Sequence, residues 1–332
     1  MQGGTQMPEV SIVIVCMNRP DLLYPCLQSI RDNTSASYET LVVAYRFSEE
    51  NLAALQRDWP SVRVIVNDEL AGFAENNNLA LRQARGRYCF VVNDDTIMTE
   101  PVIDKLVCDF SQLSSNVAAL SPKIVFPDGS VQTSGREAWS PVRYLAHYLH
   151  LVDETRPGPY SMKDGLFRTR TLNGACFLIR TDIFREAGWF DQTYTFTPED
   201  IALGHYLEHL GYEVWADADT VITHFAGSTA GPMETTIKPT RVRGSLIFYS
   251  SMKHPHNPQG TSSVNRSVYC LMGCFVWMVE AARALKWFFH DRSNPQSRAA
   301  IMYRTARNVM WAVWCRLSTK EVFTKLYKEV PR

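Results

Sequence analysis

A short apolar run at residues 88–92 ends abruptly in three polar residues, Asn93, Asp94 and Asp95. The run is rich in β-branched and aromatic side chains, which predicts a strand buried on both faces. Polar groups at the end of such a strand are costly to bury without a partner. At the carboxyl end of a parallel strand they would face the crevice where α/β proteins bind ligands. Two carboxylates and an amide suit a hard divalent cation, although the same residues are also common in turns and helix caps.

The chain around this run predicts an α/β fold. Further apolar runs at residues 10–15, 40–45 and 62–66 read as strands, and residues 20–30 and 75–84 have helical periodicity. Strand–helix–strand alternation at this spacing favours a mostly parallel sheet with right-handed crossovers. Neither a dinucleotide-binding glycine motif nor a P-loop occurs.

The second half is less regular. We predict a helix near residues 101–113, a hairpin at 123–132, an irregular segment at 137–168, and a buried strand at 172–180. A helix at 201–210 and strands at 213–216 and 220–224 follow. Beyond residue 227, residues 243–253, 264–290 and 297–317 read as amphipathic helices.

Charge is unevenly distributed along the 332 residues. The net charge is zero, but residues 283–332 hold 11 Lys and Arg against 3 Asp and Glu. Four of the eight tryptophans also lie in the last sixty or so residues, a composition that indicates contact with an anionic lipid surface. The alternative is that the apolar stripe from Val268 to Phe289 packs on the body. No window of ~18 uninterrupted apolar residues occurs, so no transmembrane helix is predicted.

The cysteines and the first residues indicate the compartment. The eight cysteines include no CxxC pair, and several lie in apolar runs, which favours buried free thiols. Residues 1–6 lack the basic and apolar regions of a signal peptide. We therefore expect a cytoplasmic protein, peripheral at the inner face of the cell membrane, with no nucleic-acid partner.

Three more groups of chemically capable residues lie at predicted element ends. Glu199 and Asp200 precede a helix, His224 ends an apolar strand, and Gly72 opens a helix that includes Asn76. Acids at a helix start also serve as caps, and a lone histidine is usually structural. The amides near Gly72 could face phosphate or sugar oxygens, or form an ordinary cap and polar surface.

In this order the motifs resemble those of glycosyltransferase family 2, with the GT-A fold, and within it the rhamnosyltransferase-like members. The resemblance runs over residues 10–228. The matching motifs are Val10-Ser-Ile-Val-Ile-Val, Asn18-Arg19, Gly72-Phe-Ala-Glu-Asn-Asn-Asn, Val92-Asn-Asp-Asp-Thr96, Phe126-Pro-Asp-Gly-Ser, Asn173-Gly-Ala-Cys, Gly188-Trp-Phe-Asp191, Glu199-Asp200 and Val221-Ile-Thr-His224.

This resemblance implies a sugar-nucleotide donor held against Mg²⁺ or Mn²⁺. Asp95 matches the metal-ligating last acid of the family's DxD motif, and His224 matches a histidine that completes the metal shell. Asn93 replaces the first acid and Asp94 fills the variable place, so both are expected at the donor. Asp200 matches the catalytic base, with Glu199 beside it.

The nucleotide is expected near four loop and helix-start residues, Asn18, Arg19, Gly72 and Asn76. One position departs from the family pattern: Ala44 follows the second strand where an aspartate usually recognises the pyrimidine base. The base therefore stays open among dTDP-, UDP- and GDP-linked donors.

The resemblance also implies an overall organisation and activity. Residues 1–115 would form the nucleotide-sugar-binding half of the GT-A domain, 116–230 the acceptor-binding and catalytic half, and 231–332 a C-terminal helical appendage. The implied activity is inverting, metal-dependent transfer of rhamnose or another hexose to a saccharide or lipid-linked acceptor in surface polysaccharide synthesis. A catalytically idle sugar-nucleotide-binding protein and a sugar nucleotidyltransferase are the alternatives.

Overall fold

The computed structural model describes residues 7–132, 140–152, 164–227, 233–251, 264–290 and 293–328. Strands and helices alternate regularly at the start of the chain. The elements of this part are β1 Val10–Cys16, α1 Pro20–Asp32, β2 Tyr38–Tyr45, α2 Glu49–Asp58, β3 Val62–Asn67, α3 Phe73–Leu81, β4 Tyr88–Val92, β5 Thr96–Ile97 and α4 Val102–Gln112.

The remaining elements complete the sheet and then turn entirely helical. They are β6 Val117–Val125, α5 Pro141–Tyr148, β7 Leu166–Thr169, β8 Cys176–Arg180, α6 Thr181–Glu186, α7 Glu199–His209, β9 Glu213–His224, α8 Glu234–Ser251, α9 Arg266–Phe288, α10 Arg298–Trp314 and α11 Thr319–Lys328.

Within the described residues the strands form one mixed sheet in the order β3-β2-β1-β4-β8-β6-β9-β5, with β7 on β9. The first four, β3, β2, β1 and β4, pair in parallel, as the alternation predicts. β8 is antiparallel to both of its neighbours, β4 and β6. Alternate side chains of the central strands enter two separate apolar cores, one on each face. Every residue of β4 is buried, as the apolar run predicts.

Several local predictions differ from the structure. The hairpin at residues 123–132 is reduced to a tight turn with one isolated bridge between Val125 and Val131. The two strands predicted at 213–224 are one strand, β9, whose pairing with β6 is shifted at Pro122. The segment at 137–168 lies partly outside the described residues, yet it contributes α5, whose N-terminus is capped by Ser140.

The helix α2 is absent from the sequence prediction because it has little apolar periodicity. Leu55 is its one buried residue. Its start is instead marked by Ser48, whose side chain accepts a hydrogen bond from the amide of Asn51. Local capping rather than burial therefore marks where this helix begins.

The C-terminal helices pack against the body through a third apolar core that joins α5, α7, α8, α9 and α10. Of the helices in the described parts of the chain, α9 is long and apolar enough to cross a membrane, which the sequence prediction did not anticipate. Only 28% of its apolar window is buried. Met272 and Val276 enter the core, whereas Leu271, Met278 and Leu285 are exposed.

Candidate active site

A cavity of about 360 Å³ opens at the carboxyl ends of β1, β2 and β4. It gathers the polar groups that the sequence places at separate element ends. Eight of the predicted site residues line it: Gly72, Asn76, Asn93, Asp94, Asp95, Glu199, Asp200 and His224.

Asp95 and His224 meet because β5, which follows Asp95, pairs antiparallel with the end of β9. The imidazole Nε2 of His224 lies 3.2 Å from Asp95 Oδ1 and 3.3 Å from Asn93 Nδ2. Both Asp95 and His224 are buried. The pairing therefore joins two predicted metal ligands 129 positions apart in the chain.

Gln132 fixes the orientation of the His224 ring. Its Nε2 donates to the backbone carbonyl of His224 at 2.7 Å, and its Oε1 lies 2.8 Å from His224 Nδ1. With the amide oriented in this way, Nδ1 donates to Gln132, and Nε2 is the ring nitrogen that faces Asp95. Sequence reasoning missed Gln132, because an isolated glutamine carries no motif.

The carboxylate oxygen of Asp95 and the ring nitrogen of His224 are spaced to bind one divalent cation. Two adjacent ligands of an octahedral Mg²⁺ ion lie about 3 Å apart, given bond lengths of ~2.0–2.1 Å, which is close to the separation of Asp95 Oδ1 and His224 Nε2. Among the described residues no group of three or more His, Cys, Asp or Glu side chains is arranged to hold a metal. Such an ion would therefore depend on donor phosphates and water for its other ligands, as Mg²⁺ commonly does.

Asp94 is buried, as Asp95 is, and it faces Cys16. Burial raises the pKa of Asp94 to about 7. A hydrogen bond with Cys16 lowers it by less than burial raises it, and the charge of Asp95 adds a smaller increase. Its Oδ2 atom has no hydrogen-bond partner within the described chain. A buried acceptor without a partner is consistent with the predicted donor-binding role.

Asp200 is held at the start of α7 by two backbone amides. Its Oδ2 accepts from Gly174 at 3.0 Å and its Oδ1 accepts from Ile201 at 2.7 Å. These contacts fix the carboxylate at the cavity wall. They confirm that the acid lies at a helix start, which is where a cap would also lie.

Glu199 has a different environment although it is adjacent. It is buried, and its Oε2 has no hydrogen-bond partner in the described residues. Burial, together with the charge of Asp200, raises the pKa of Glu199 to about 8. Because a protonated carboxyl cannot act as a base, Glu199 is a poor proton acceptor near neutral pH.

This raised pKa predicts a pH-dependent effect of Glu199→Gln on stability. The folded state holds the proton of Glu199 more tightly than the unfolded state does. The contribution of Glu199 to the unfolding free energy is therefore fully present below pH 4.5 and is lost as the pH rises towards about 8. Glutamine cannot ionise. The Tm of Glu199→Gln relative to wild type should therefore rise by at least ~2 °C between about pH 5 and about pH 8.

The control for this comparison is Glu50→Gln, which changes an exposed acid in α2. Its Tm difference from wild type should be the same at both pH values. A pH-independent difference for Glu199→Gln would contradict the assignment of a protonated Glu199.

The glycine turn before α3 is required by close packing. A Cβ at Gly72 would lie 2.1 Å from the carbonyl oxygen of Thr195. Asn76 lines the cavity, but its side chain also bonds Asn67 and the carbonyl of Gly72. The side-chain nitrogen of Asn78 donates to the carbonyl oxygen of Phe190, and its side-chain oxygen accepts from the amide of Phe190. Asn78 therefore joins two parts of the fold and is not available to a ligand.

The structure places Asn18 and Arg19 outside the cavity lining. Asn18 Oδ1 accepts hydrogen bonds from the amide of Ser48 and the side chain of Asn51, which ties the loop to α2. Arg19 pairs with Asp21 at 2.6 Å. Their contact with a nucleotide stays a prediction.

Several lining residues come from segments that the motifs do not reach. Arg241 and Ile237 lie on α8, and Phe323 lies on α11, where its ring packs edge-on against Phe196 at 4.8 Å. Lys320 bonds Glu75 at 2.6 Å and ties α11 to α3. No sequence signal identifies these residues, since their position depends on how the C-terminal helices fold back.

The chain is similar in sequence to two curated proteins of known name. The chain is 27% identical to the O-antigen biosynthesis protein RfbC of Myxococcus xanthus over 65% of its own length and 17% of that protein. It is 30% identical to an N-acetylglucosaminyl-diphospho-decaprenol L-rhamnosyltransferase of Mycobacterium tuberculosis over 53% of its own length and 63% of the relative. The chain thus spans less than two thirds of either relative.

Solved structures of similar fold extend over most of the chain. The mannosyltransferase PcManGT of Pyrobaculum calidifontis, in complex with GDP-Man and Mn²⁺, has a TM-score of 0.54 at 14% identity and covers 92% of this chain and 88% of its own. GalNAc-T7 with UDP, GalNAc and Mn²⁺ also has a TM-score of 0.54, at 15% identity, covering 98% of this chain and 57% of its own. The fold is therefore GT-A with C-terminal helices, as predicted.

The family model agrees with these similarities. The model described as Glycosyl transferase family 2 matches residues 11–188, more than half of the chain. The matched segment includes β1 to β8 and the Asn93-Asp94-Asp95 motif. The chain therefore belongs to glycosyl transferase family 2.

Proposed function

We propose that this glycosyltransferase is metal-dependent and inverting, and that it moves rhamnose or another hexose from a nucleoside diphosphate to a saccharide or lipid-linked acceptor. The observation that carries the proposal is that Asp200 and the Asp95–His224 pair line one cavity. The proposed base and the proposed cation ligands would thus act on the same bound substrates.

The proposed transfer is a single displacement. An acceptor hydroxyl oxygen forms a bond to the anomeric carbon while the bond from that carbon to the diphosphate oxygen breaks. The electron pair leaves with the diphosphate, and the hydroxyl proton moves to Asp200, which acts as general base. Attack from the face opposite the leaving group inverts the anomeric carbon.

Asp95 and His224 are the residues that would hold Mg²⁺ or Mn²⁺. When bound, such an ion would supply charge neutralisation to the departing diphosphate. Gln132 keeps His224 oriented through its contacts with both Nδ1 and the carbonyl oxygen. This arrangement resembles the supporting hydrogen bonds that orient metal-binding histidines in proteins.

A thermal-shift screen of UDP-, dTDP- and GDP-sugars with Mn²⁺ tests donor binding, because a ligand that binds the folded state raises Tm. The stabilising donor is then used in a transfer assay. Release of nucleoside diphosphate is expected for a glycosyltransferase, whereas release of pyrophosphate would indicate a nucleotidyltransferase. Binding without either product would indicate an idle binding protein.

The exposed face of α9 supports peripheral attachment to an anionic membrane surface. Leu271 is 74%, Met278 59%, Leu285 60% and Phe289 79% exposed. The chain from residue 283 onwards carries the net positive charge that an anionic bilayer would attract. The inner faces of α9 pack on the body, so the helix would lie on the membrane rather than span it.

Liposome flotation tests this attachment. Wild-type protein should float with vesicles that contain phosphatidylglycerol, and less with phosphatidylcholine alone or at high salt, which screens the attraction. The double variant Met278→Asp and Leu285→Asp should lose most of the floated fraction, because charged side chains oppose burial in lipid.

Leu210→Glu is the matched control, since it charges an apolar residue on the body that is 36% exposed. It should float like wild type. Flotation of the double variant at the wild-type level would show that α9 is not the attachment surface.

A further inference from the structure

A second cavity of about 390 Å³ lies against the first. Thr197 and Arg241 line both cavities. The second is formed mainly by α5 and α8 with the last turns of α9. Ile201, which directly follows Asp200, lies in its wall. The proposed base is therefore located where the two cavities meet.

The lining of this second cavity carries an excess of positive charge. Lys238, Arg241 and Arg283 lie in the wall, and Glu234 is the acid beside them. Lys238 and Arg241 are three residues apart on α8 and so share a face of that helix. Arg241 and Glu234 are 3.7 Å apart, and both are about two-fifths exposed.

A buried acid behind the wall holds two of these cations in place. Glu280 on α9 has a side chain that is 1% exposed, and its Oε1 accepts from Arg283 and lies 3.5 Å from Lys238 Nζ. Tyr148 donates its hydroxyl hydrogen to the same oxygen. Arg283 also bonds the carbonyl of Tyr148 and lies over its ring.

This framework fixes cations at the cavity without neutralising them all. Glu280 contributes one negative charge to Lys238 and Arg283 together. Their side chains are 22% and 25% exposed, which leaves both partly shielded from water and strengthens attraction to an anion. Arginine and lysine held in this way are typical of phosphate-binding sites.

We infer that the second cavity binds the diphosphate of the acceptor. The inference rests on the proposed function, because it takes the acceptor to be a saccharide linked through diphosphate to a lipid. The sugar attached to the diphosphate would then lie across the junction, with its hydroxyl at Asp200. The cavity would thus recognise the diphosphate of the acceptor, and one sugar would separate that diphosphate from the hydroxyl that forms the new bond.

Binding of farnesyl diphosphate and of inorganic pyrophosphate, measured by calorimetry in EDTA, tests this inference without a metal at the donor site. Farnesyl diphosphate should bind wild-type protein. Lys238→Gln should weaken that binding about tenfold or more, the usual effect of losing a charged hydrogen bond. Lys286→Gln, which removes an exposed lysine from α9, should leave it unchanged.

A second variant tests the ion pair of Arg283 and Glu280. Arg283→Gln alone would remove one of the two cations that contact the buried Glu280, so Glu280→Gln is introduced with it. The double variant should also weaken binding about tenfold or more, because the hydrogen-bond donors of the arginine are lost. Equal binding of pyrophosphate, with the same sensitivity to both variants, would support the site and assign recognition to the diphosphate alone. Tighter binding of farnesyl diphosphate would support a lipid-linked acceptor.

Two outcomes would overturn the inference: no binding of either probe, or binding that neither variant changes. A failure of the proposed function can be distinguished from a failure of this inference by comparing sugar transfer with diphosphate binding. Absent sugar transfer together with variant-sensitive diphosphate binding would count against the proposed function only, whereas normal transfer without diphosphate binding would count against the second cavity only.

Discussion

Asp200→Asn is expected to lower the rate of glycosyl transfer by at least ~10²-fold while the protein stays folded, since general-base catalysis contributes about that much or more. The amide keeps an oxygen that can accept from Gly174 or Ile201, so the start of α7 is preserved. It cannot take the proton of the acceptor hydroxyl. Donor affinity should change little, because the predicted donor residues lie elsewhere, at the start of α1, at the start of α3 and directly after β4.

Steady-state kinetics with Tm and donor-binding measurements on the same preparations check this prediction. Glu199→Gln is the neighbouring comparison, and it should lose less activity because Glu199 is protonated near neutral pH. If Glu199→Gln were inactive and Asp200→Asn active, the two roles would be exchanged. If both variants turned over at the wild-type rate, neither acid would be the base.

Asp95→Ala should reduce transfer on the order of 10²–10³-fold, the effect of losing one group that stabilises developing charge. The variant should also bind Mn²⁺ more weakly in calorimetry with the donor present. Chelation by EDTA should abolish turnover of wild-type protein, and added Mn²⁺ should restore it. His224→Ala should raise the metal concentration needed for half-maximal activity.

Asp32→Ala is the control for this series, since Asp32 is an exposed acid at the end of α1. It should match wild type in activity and in Mn²⁺ dependence. Full activity in excess EDTA, or an unchanged metal response in both Asp95→Ala and His224→Ala, would contradict a catalytic metal.

The strands of the sheet could be predicted well where the apolar pattern of the sequence matches the burial of the strand. Residues 88–92 are apolar throughout because β4 is buried on both faces, and the structure has β4 at those residues. The start of α2 could not be found from burial, since it depends on the Ser48 cap. The long β9 was read as two strands because Asp217 interrupts the apolar pattern, and the pairing with β6 shifts there.

The site residues that could be predicted are those in motifs at the ends of strands and helices. The residues 93–95, Glu199, Asp200 and His224 share the cavity because the ends of the strands and helices that carry them meet there. Gln132 was not predictable, since it acts through contacts with His224, 92 positions away. Arg241 was not predictable either, since its place in the cavity wall depends on how α8 packs against the body. Asn18 carries the family motif yet serves as a brace for α2 in the structure.

Phe323 on α11 completes a cavity whose other walls come from much earlier in the chain. During synthesis on the ribosome, the acids at Asp95 and Asp200 emerge long before this aromatic wall. Until α11 docks through Thr319 and Lys320, the cavity stays open on that side. A fragment limited to residues 11–188 would therefore match the family model but lack this aromatic wall of the cavity.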